Sequence, residues 1–218
     1  MLEWEPYDVQ AAIWPRTGRH ILAQYDDTSV IVYQAYRDDI ADHAVTHQAF
    51  GGPWSFDRMS WIKPNFLWMM YRSGWATKPG QERVLAIRIS REAFDTILRR
   101  SVESTHHPEV TGWDRDEWRR RGQRSDVRLQ WDPDHHPSGP KLERRAVQLG
   151  LRRDTLARFA TDWILRIHDL TDEVHARHLD APLLTPRERV YRPDDPELCR
   201  WLRLADVTPP RHSSASTP

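Results

Sequence analysis

The 218 residues predict an α+β fold: one domain with a mixed or antiparallel β-sheet, which could be split, and flanking helices. Three observations carry that expectation. Strand-like runs and helical patterns follow one another without strict βαβ alternation. The Gly-rich phosphate loops of nucleotide-binding α/β folds, GxGxxG and GxxxxGK[ST], are both absent, and the chain has only nine Gly. Hydrophobic residues make up 39% and charged residues 29%, enough of each for a packed core under a solvated surface.

The elements read in order. Ile21–Tyr25 and Val30–Tyr36 are β-rich runs joined by Asp26-Asp27-Thr28-Ser29, a turn-forming tetrad, so they predict a hairpin. Asp38-Asp39 opens a helix carrying Ile40, Ala44 and Val45, which Gly51-Gly52-Pro53 ends. A second helix is expected from Pro64, where the missing N–H costs nothing, to Gly74 as a left-handed terminator. It is apolar nearly all round, so it should be buried. Arg83–Ile89 alternates as a strand, and Ser90 can cap a following helix with Phe94, Ile97 and Leu98. Residues 99–125, rich in Arg and Trp, read as an excursion. Val127–Trp131 and Ala146–Leu151 read as strands around a turn-rich stretch, Asp132–Pro140. From Asp154 to His178, Leu156, Phe159, Trp163, Ile167, Leu170 and Val174 recur every three or four residues, which predicts one long helix. A short helix starts near Asp195-Pro196. The domain is expected to span residues 1–206, with 207–218 a disordered tail.

Composition excludes several classes. No apolar run approaches the ~18 residues of a membrane span, and the acidic, aromatic opening Met1-Leu2-Glu3-Trp4-Glu5 does not read as a secretory signal. One Cys excludes a disulfide framework or a cysteine-rich zinc site, and Cys199 itself reads as a packing residue. A cytoplasmic protein is expected. The cations are 29 Arg and three Lys (Lys63, Lys78 and Lys141), and Trp occurs eleven times. Zero formal net charge argues against broad capture of nucleic acid, although a local basic groove stays open.

Chemistry concentrates in one segment. Arg58-Met59-Ser60-Trp61-Ile62-Lys63-Pro64 leads into Trp68, Tyr71, Arg72 and Trp75. The aromatics could stack a base or nicotinamide ring while Arg58, Lys63 and Arg72 neutralise phosphates. The same residues could equally be a core helix whose cations snorkel outward. Gln34 and Tyr36 share one face of their strand, Tyr33, Ala35 and Arg37 the other, and the Gln34 amide needs a partner, ligand or backbone. Asp132, Asp134 and His135 could hold a divalent metal, or Gln130–His135 could line a cleft without one. Glu188 and Glu82 each stand beside Arg, as surface ion pairs do, or as a cleft carboxylate could. No GxSxG elbow supports a hydrolase triad.

Gln24–Asp27, Val32–Tyr36, Arg58–Pro64, Phe66–Ala76, Gln130–His135 and Arg145–Gly150 closely resemble the DUF4291 family, a domain of unknown function, and the likeness covers roughly residues 5–205. A more distant resemblance is to the ADP-ribosyltransferase-like fold, which binds NAD in the cleft of a split, mixed sheet. That likeness implies NAD as substrate. It would place Gln34, Tyr36 or Arg37 at the first motif, Tyr71 and Trp75 at the second, and Glu188 at the third as the catalytic carboxylate. Arg58 or Arg72 would hold the pyrophosphate. The sequence departs from that pattern in lacking a His or Arg in mid-strand of Val30–Tyr36 and a Ser-Thr-Ser.

The expectation is therefore an NAD-dependent ADP-ribosyltransferase-like enzyme, with Glu188 and Tyr71 catalytic and Gln34, Tyr36, Arg58, Lys63, Arg72 and Trp75 binding the cofactor. It would carry no metal, and the acceptor could be nucleic acid. Two alternatives stand beside it: a non-catalytic nucleotide, RNA or single-stranded DNA binder using Arg with Trp and Tyr, and a metal-dependent hydrolase at Asp132, Asp134 and His135.

Overall fold

Val, Ile and Tyr crowd Ser29–Tyr36, and this run forms the strand around which the rest is arranged. In the computed structural model, which describes residues 2–206, the first half runs β1 (Trp4–Pro6), α1 (Tyr7–Ile13), β2 (Ile21–Ala23), β3 (Ser29–Tyr36), α2 (Asp38–His47), β4 (Ser60–Ile62), α3 (Phe66–Ser73), β5 (Arg83–Ser90), α4 (Arg91–Arg99) and β6 (Ser101–Glu103). The second half runs α5 (Pro108–Thr111), α6 (Arg115–Arg124), β7 (Val127–His135), β8 (Lys141–Leu151), α7 (Arg153–Ala160), β9 (Ile164–Asp169), α8 (Thr171–Arg177), β10 (Leu184–Pro186), β11 (Arg189–Tyr191) and α9 (Pro196–Trp201). The fold is α+β, as the irregular alternation predicts.

Two sheets organise it: β3-β5-β9, antiparallel throughout, and β4-β8-β7-β6, mixed because β6 runs parallel to β7. Two-stranded ribbons, β1-β10 and β2-β11, tie the chain's ends together. Among the described residues the backbones of the large sheets pair at one point, between β3 and the end of β4. Tyr33 N–H donates to Lys63 O at 2.7 Å and Lys63 N–H to Tyr33 O at 3.2 Å. Beyond that pair the two strands part, and the seam opens.

Alternation along β3 and β5 buries both faces. Val30, Val32, Leu85, Ile87 and Ile89 enter one core with Phe94, Phe159 and Trp163, beneath α2, α4 and α7. Ile31, Tyr33, Val84 and Ala86 enter the other with Phe66, Met69 and Met70, beneath α3. A strand covered on both sides reads as a continuous apolar run, so the polar Gln34 within it is conspicuous.

Most boundaries follow local chemistry. Asp26 Oδ1 accepts from the backbone N–H groups of Thr28 and Ser29, closing the expected turn and holding the Asp26 carboxyl down at about 2. The expected hairpin is reduced to a Tyr25–Val30 bridge, because β2 pairs with β11 and β3 with β5. Ser90 caps α4 as expected, accepting from Ala93 N–H at 3.1 Å. Helix α3 starts two residues later than Pro64 predicts, because Asn65 is its cap and accepts from Trp68 N–H; Gly74 ends it in the left-handed region at φ 60°. The strand expected to stop at Trp131 continues to His135, with a register shift near Pro133, which shrinks the turn. The 99–125 excursion contains β6, α5 and α6.

The long helix expected from Asp154 to His178 is overturned. Helix α7 stops at Ala160, Ile164–Asp169 is strand β9, and α8 begins at Thr171. Pairing with β5, Ile87 opposite Ile167 and Leu85 opposite Asp169, supplies the backbone bonds of β9. The apolar positions are all buried as the periodicity implied, but across three successive elements and the turns between them, so tertiary pairing overrides local pattern. Among the described residues no helix is long and apolar enough to cross a membrane. The tail expected to be disordered lies outside the described residues.

Candidate functional site

Where β3 and β4 part, a cleft of about 720 Å³ opens. Gln34, Tyr36, Arg58, Lys63 and Arg72 all line it, so five of the six residues proposed from sequence to bind a cofactor converge on one wall system. The Gln34 side chain fills the gap left by the missing backbone pairing. Its Nε2 donates to Ser60 Oγ at 2.7 Å and to Trp61 O at 3.1 Å. A carbonyl can only accept, so the contact with Trp61 O fixes which end of the amide is nitrogen. Gln34 Oε1 is then left buried without a donor among the described residues. Tyr36 OH shares a hydrogen bond with Ser60 Oγ at 2.9 Å and accepts from Trp54 Nε1 at 2.9 Å. Burial pushes the Tyr36 hydroxyl up to about 12, against those hydrogen bonds.

Three of the four cations lining the cleft are free; the fourth, the exposed Arg37, is paired with Asp39 at 2.6 Å. Among the described residues neither Arg58, Lys63 nor Arg72 makes an ion pair or a side-chain hydrogen bond, and no Asp or Glu lines the cleft. Arg58 and Arg72 are exposed, whereas Lys63 is only 4% exposed, with its Nζ 5.8 Å from the Trp68 ring centroid. Burial first, and Arg72 second, bring the Lys63 amine down to about 8; Asp132 opposes them.

Sequence reasoning offered Gln130, within Gln130–His135, as a cleft-lining residue, but not Gln148 on the opposite wall. Gln130 and Gln148 stand across from each other on β7 and β8, and both line the cleft. Gln130 Nε2 donates to Asp132 Oδ1 at 2.9 Å and Gln148 Nε2 to Asp132 Oδ2 at 2.7 Å. A carboxylate accepts only, so Asp132 sets both amides with nitrogen toward itself and frees both carbonyls. The signal in the sequence was polar residues alternating with Val127, Leu129, Val147 and Leu149.

Three expected residues lie elsewhere. Tyr71 and Trp75 line a second cleft of about 350 Å³ with His136 and His178, separated from the first by α3. Tyr71 is half exposed and stacks on the buried His135 ring at 3.6 Å, and Trp75 stacks on His178 at 4.2 Å. Adjacent helical residues diverge by about 100°, so Arg72 faces the first cleft and Tyr71 the second. Glu188 does not line the main cleft. It is 1% exposed, beneath the start of α3, where Oε1 accepts from Phe66 N–H at 2.6 Å and Oε2 from Asn65 Nδ2 at 3.1 Å. Burial raises its carboxyl to about 8 in spite of those donors. Glu82 accepts from Gly80 N–H on the surface.

Two of the three residues of the metal alternative are engaged by other partners. Asp134 is buried in an ion pair with Arg144 at 2.6 Å and Asp132 holds two glutamines, while His135 stacks on Tyr71 and Trp68 with neither ring nitrogen hydrogen-bonded among the described residues. Among the described residues no three His, Cys, Asp or Glu side chains gather as a metal site.

What the main cleft can do chemically follows from its lining. It offers unpaired cations to an anion, aromatic faces of Trp54, Trp61 and Tyr36, and amide carbonyls to N–H or O–H donors. No curated protein matches the sequence. A family model does, from residue 20 to residue 191, a span that holds every cleft residue named above. The chain thus belongs to DUF4291, the family described as a domain of unknown function.

Proposed function

We propose that the cleft between β3 and β4 binds a phosphate-bearing nucleotide, and that this nucleotide is NAD, consumed by ADP-ribosyl transfer. The observation that carries the reading is the convergence of three unpaired cations, Arg58, Lys63 and Arg72, on a cleft whose one fully buried amide, Gln34, keeps an unsatisfied carbonyl. An unfilled buried acceptor costs about 1–3 kcal/mol. The carboxamide N–H of a nicotinamide ring would satisfy it, while Arg58 and Arg72 held the pyrophosphate.

The opening between two sheets whose described backbones pair at a single point also supports an ADP-ribosyltransferase-like arrangement. In such a reaction the glycosidic bond to nicotinamide breaks through an oxocarbenium-like state. Orientation between the cations and the glutamine carbonyls is what the chain would supply. Glu188 as the catalytic carboxylate would need to leave its place under α3, so the reading rests on the cleft residues instead.

Thermal-shift titration with NAD, ADP-ribose, ATP and a short RNA tests it, on the wild type and on Arg72→Ala. Stabilisation by NAD and ADP-ribose that is lost in Arg72→Ala is the expected result. Stabilisation by RNA alone would favour the nucleic-acid-binding reading, and no response to NAD or ADP-ribose would overturn the proposal.

A further inference from the structure

We propose that Lys63 is the nucleophile of the cleft: its Nζ bonds to the anomeric carbon of a phosphorylated ribose. The choice of residue is the first argument. This chain uses Arg for 29 of its 32 cations, yet the cation buried in the cleft is one of its three Lys. A guanidinium would supply charge there permanently. Only an amine can also supply a lone pair.

The second argument is position. The Lys63 backbone is clamped by reciprocal hydrogen bonds to Tyr33, the one backbone pair among the described residues that joins the two large sheets, so the side chain springs from a fixed point. Its Nζ has no acceptor among the described residues, and the side chain lines the cleft beside Arg72 and Gln34. Burial that brings the amine to about 8 leaves roughly a tenth of it neutral at pH 7 and half at pH 8. The exposed Arg58 and Arg72 can meanwhile hold the phosphate and bring the sugar to the amine.

The step balances for both sources of such a sugar. With NAD, the Nζ–C1 bond forms as the bond from C1 to the pyridinium nitrogen breaks. That electron pair leaves with neutral nicotinamide, and one Nζ proton goes to solvent. With free ribose 5-phosphate, the C1 aldehyde condenses with Nζ to an imine, both Nζ hydrogens leaving with the aldehyde oxygen as water. The NAD arm rests on the proposed function; the ribose 5-phosphate arm does not.

The test treats the full chain with ribose 5-phosphate, and separately with NAD, in the presence of cyanoborohydride, which reduces the imine form of the adduct to a stable amine. Peptide mass spectrometry then locates the label. Lys78 and Lys141 serve as internal controls, so no variant has to fold. The expected result is labelling of Lys63 at least about tenfold above either control, because the cleft holds the sugar phosphate beside its amine, with protection by excess inorganic phosphate. Lys63→Arg should abolish the label. Labelling by ribose 5-phosphate but not NAD would support Lys63 as nucleophile and sink the NAD reading. Equal labelling of the three lysines, or nicotinamide release from NAD with Lys63 unlabelled, would overturn the proposal.

Discussion

Replacing Glu188 by alanine separates a supporting carboxylate from a catalytic one. In the fold, Glu188 takes hydrogen bonds from Phe66 N–H at 2.6 Å and Asn65 Nδ2 at 3.1 Å, in a site 1% exposed. Alanine would strand both donors, each at about 1–3 kcal/mol. Loss of the buried carboxyl returns part of that, leaving a destabilisation of about 2–5 kcal/mol. For a domain of this size 1 kcal/mol moves Tm by about 2–4 °C, so a fall of roughly 5–15 °C is expected by scanning calorimetry. A pH signature accompanies it. The carboxyl titrates at about 8 when folded against 4.5 when free, so the folded chain binds the extra proton between those values. Its stabilising contribution is complete below 4.5 and is lost as pH rises through about 8. Wild-type Tm should therefore fall over that window more steeply than that of Glu188→Gln. Below its Tm, Glu188→Ala should bind ADP-ribose as the wild type does. Unchanged Tm with abolished ligand binding or turnover would refute this account and return Glu188 to the chemistry.

Other expectations follow from the same geometry. Affinity for ADP-ribose, measured by titration calorimetry at constant ionic strength, should weaken as pH rises through about 8, where Lys63 loses its charge; a flat profile would show that the amine does not face the phosphates. Asp132→Ala should leave Tm within about 2 °C of wild type, the site being half-buried, yet weaken ADP-ribose binding several-fold by releasing Gln130 and Gln148; unchanged affinity would remove Asp132 from any positioning role. Arg144→Met strands the buried Asp134 carboxylate and should cost about 3–5 kcal/mol in chemical denaturation.

How much of this was legible in the sequence depended on whether the cause was local. The Asp26 turn, the Ser90 cap and the Gly74 terminator each act within a few residues, and each was readable. Periodicity located the buried residues from Leu156 to Val174 but not their elements, because the backbone of Ile164–Asp169 is satisfied by β5, far away in sequence. In the site, composition marked the Arg58–Arg72 segment and the odd Gln34, and those converge. It could not show that α3 divides Arg72 from Tyr71, or that Gln130 and Gln148 are set by one carboxylate across two strands. Glu188 was noticed for its Arg neighbours, whereas what fixes its place is the start of a helix more than a hundred residues earlier.

The measurement that bears most directly on the central claim is a crystal structure of the chain with ADP-ribose. The pyrophosphate is expected against Arg58 and Arg72, with a ribose within reach of Lys63 Nζ and a donor on Gln34 Oε1. Density for the ligand in the Tyr71–Trp75 cleft, or anywhere else with the β3–β4 cleft empty, would contradict that claim.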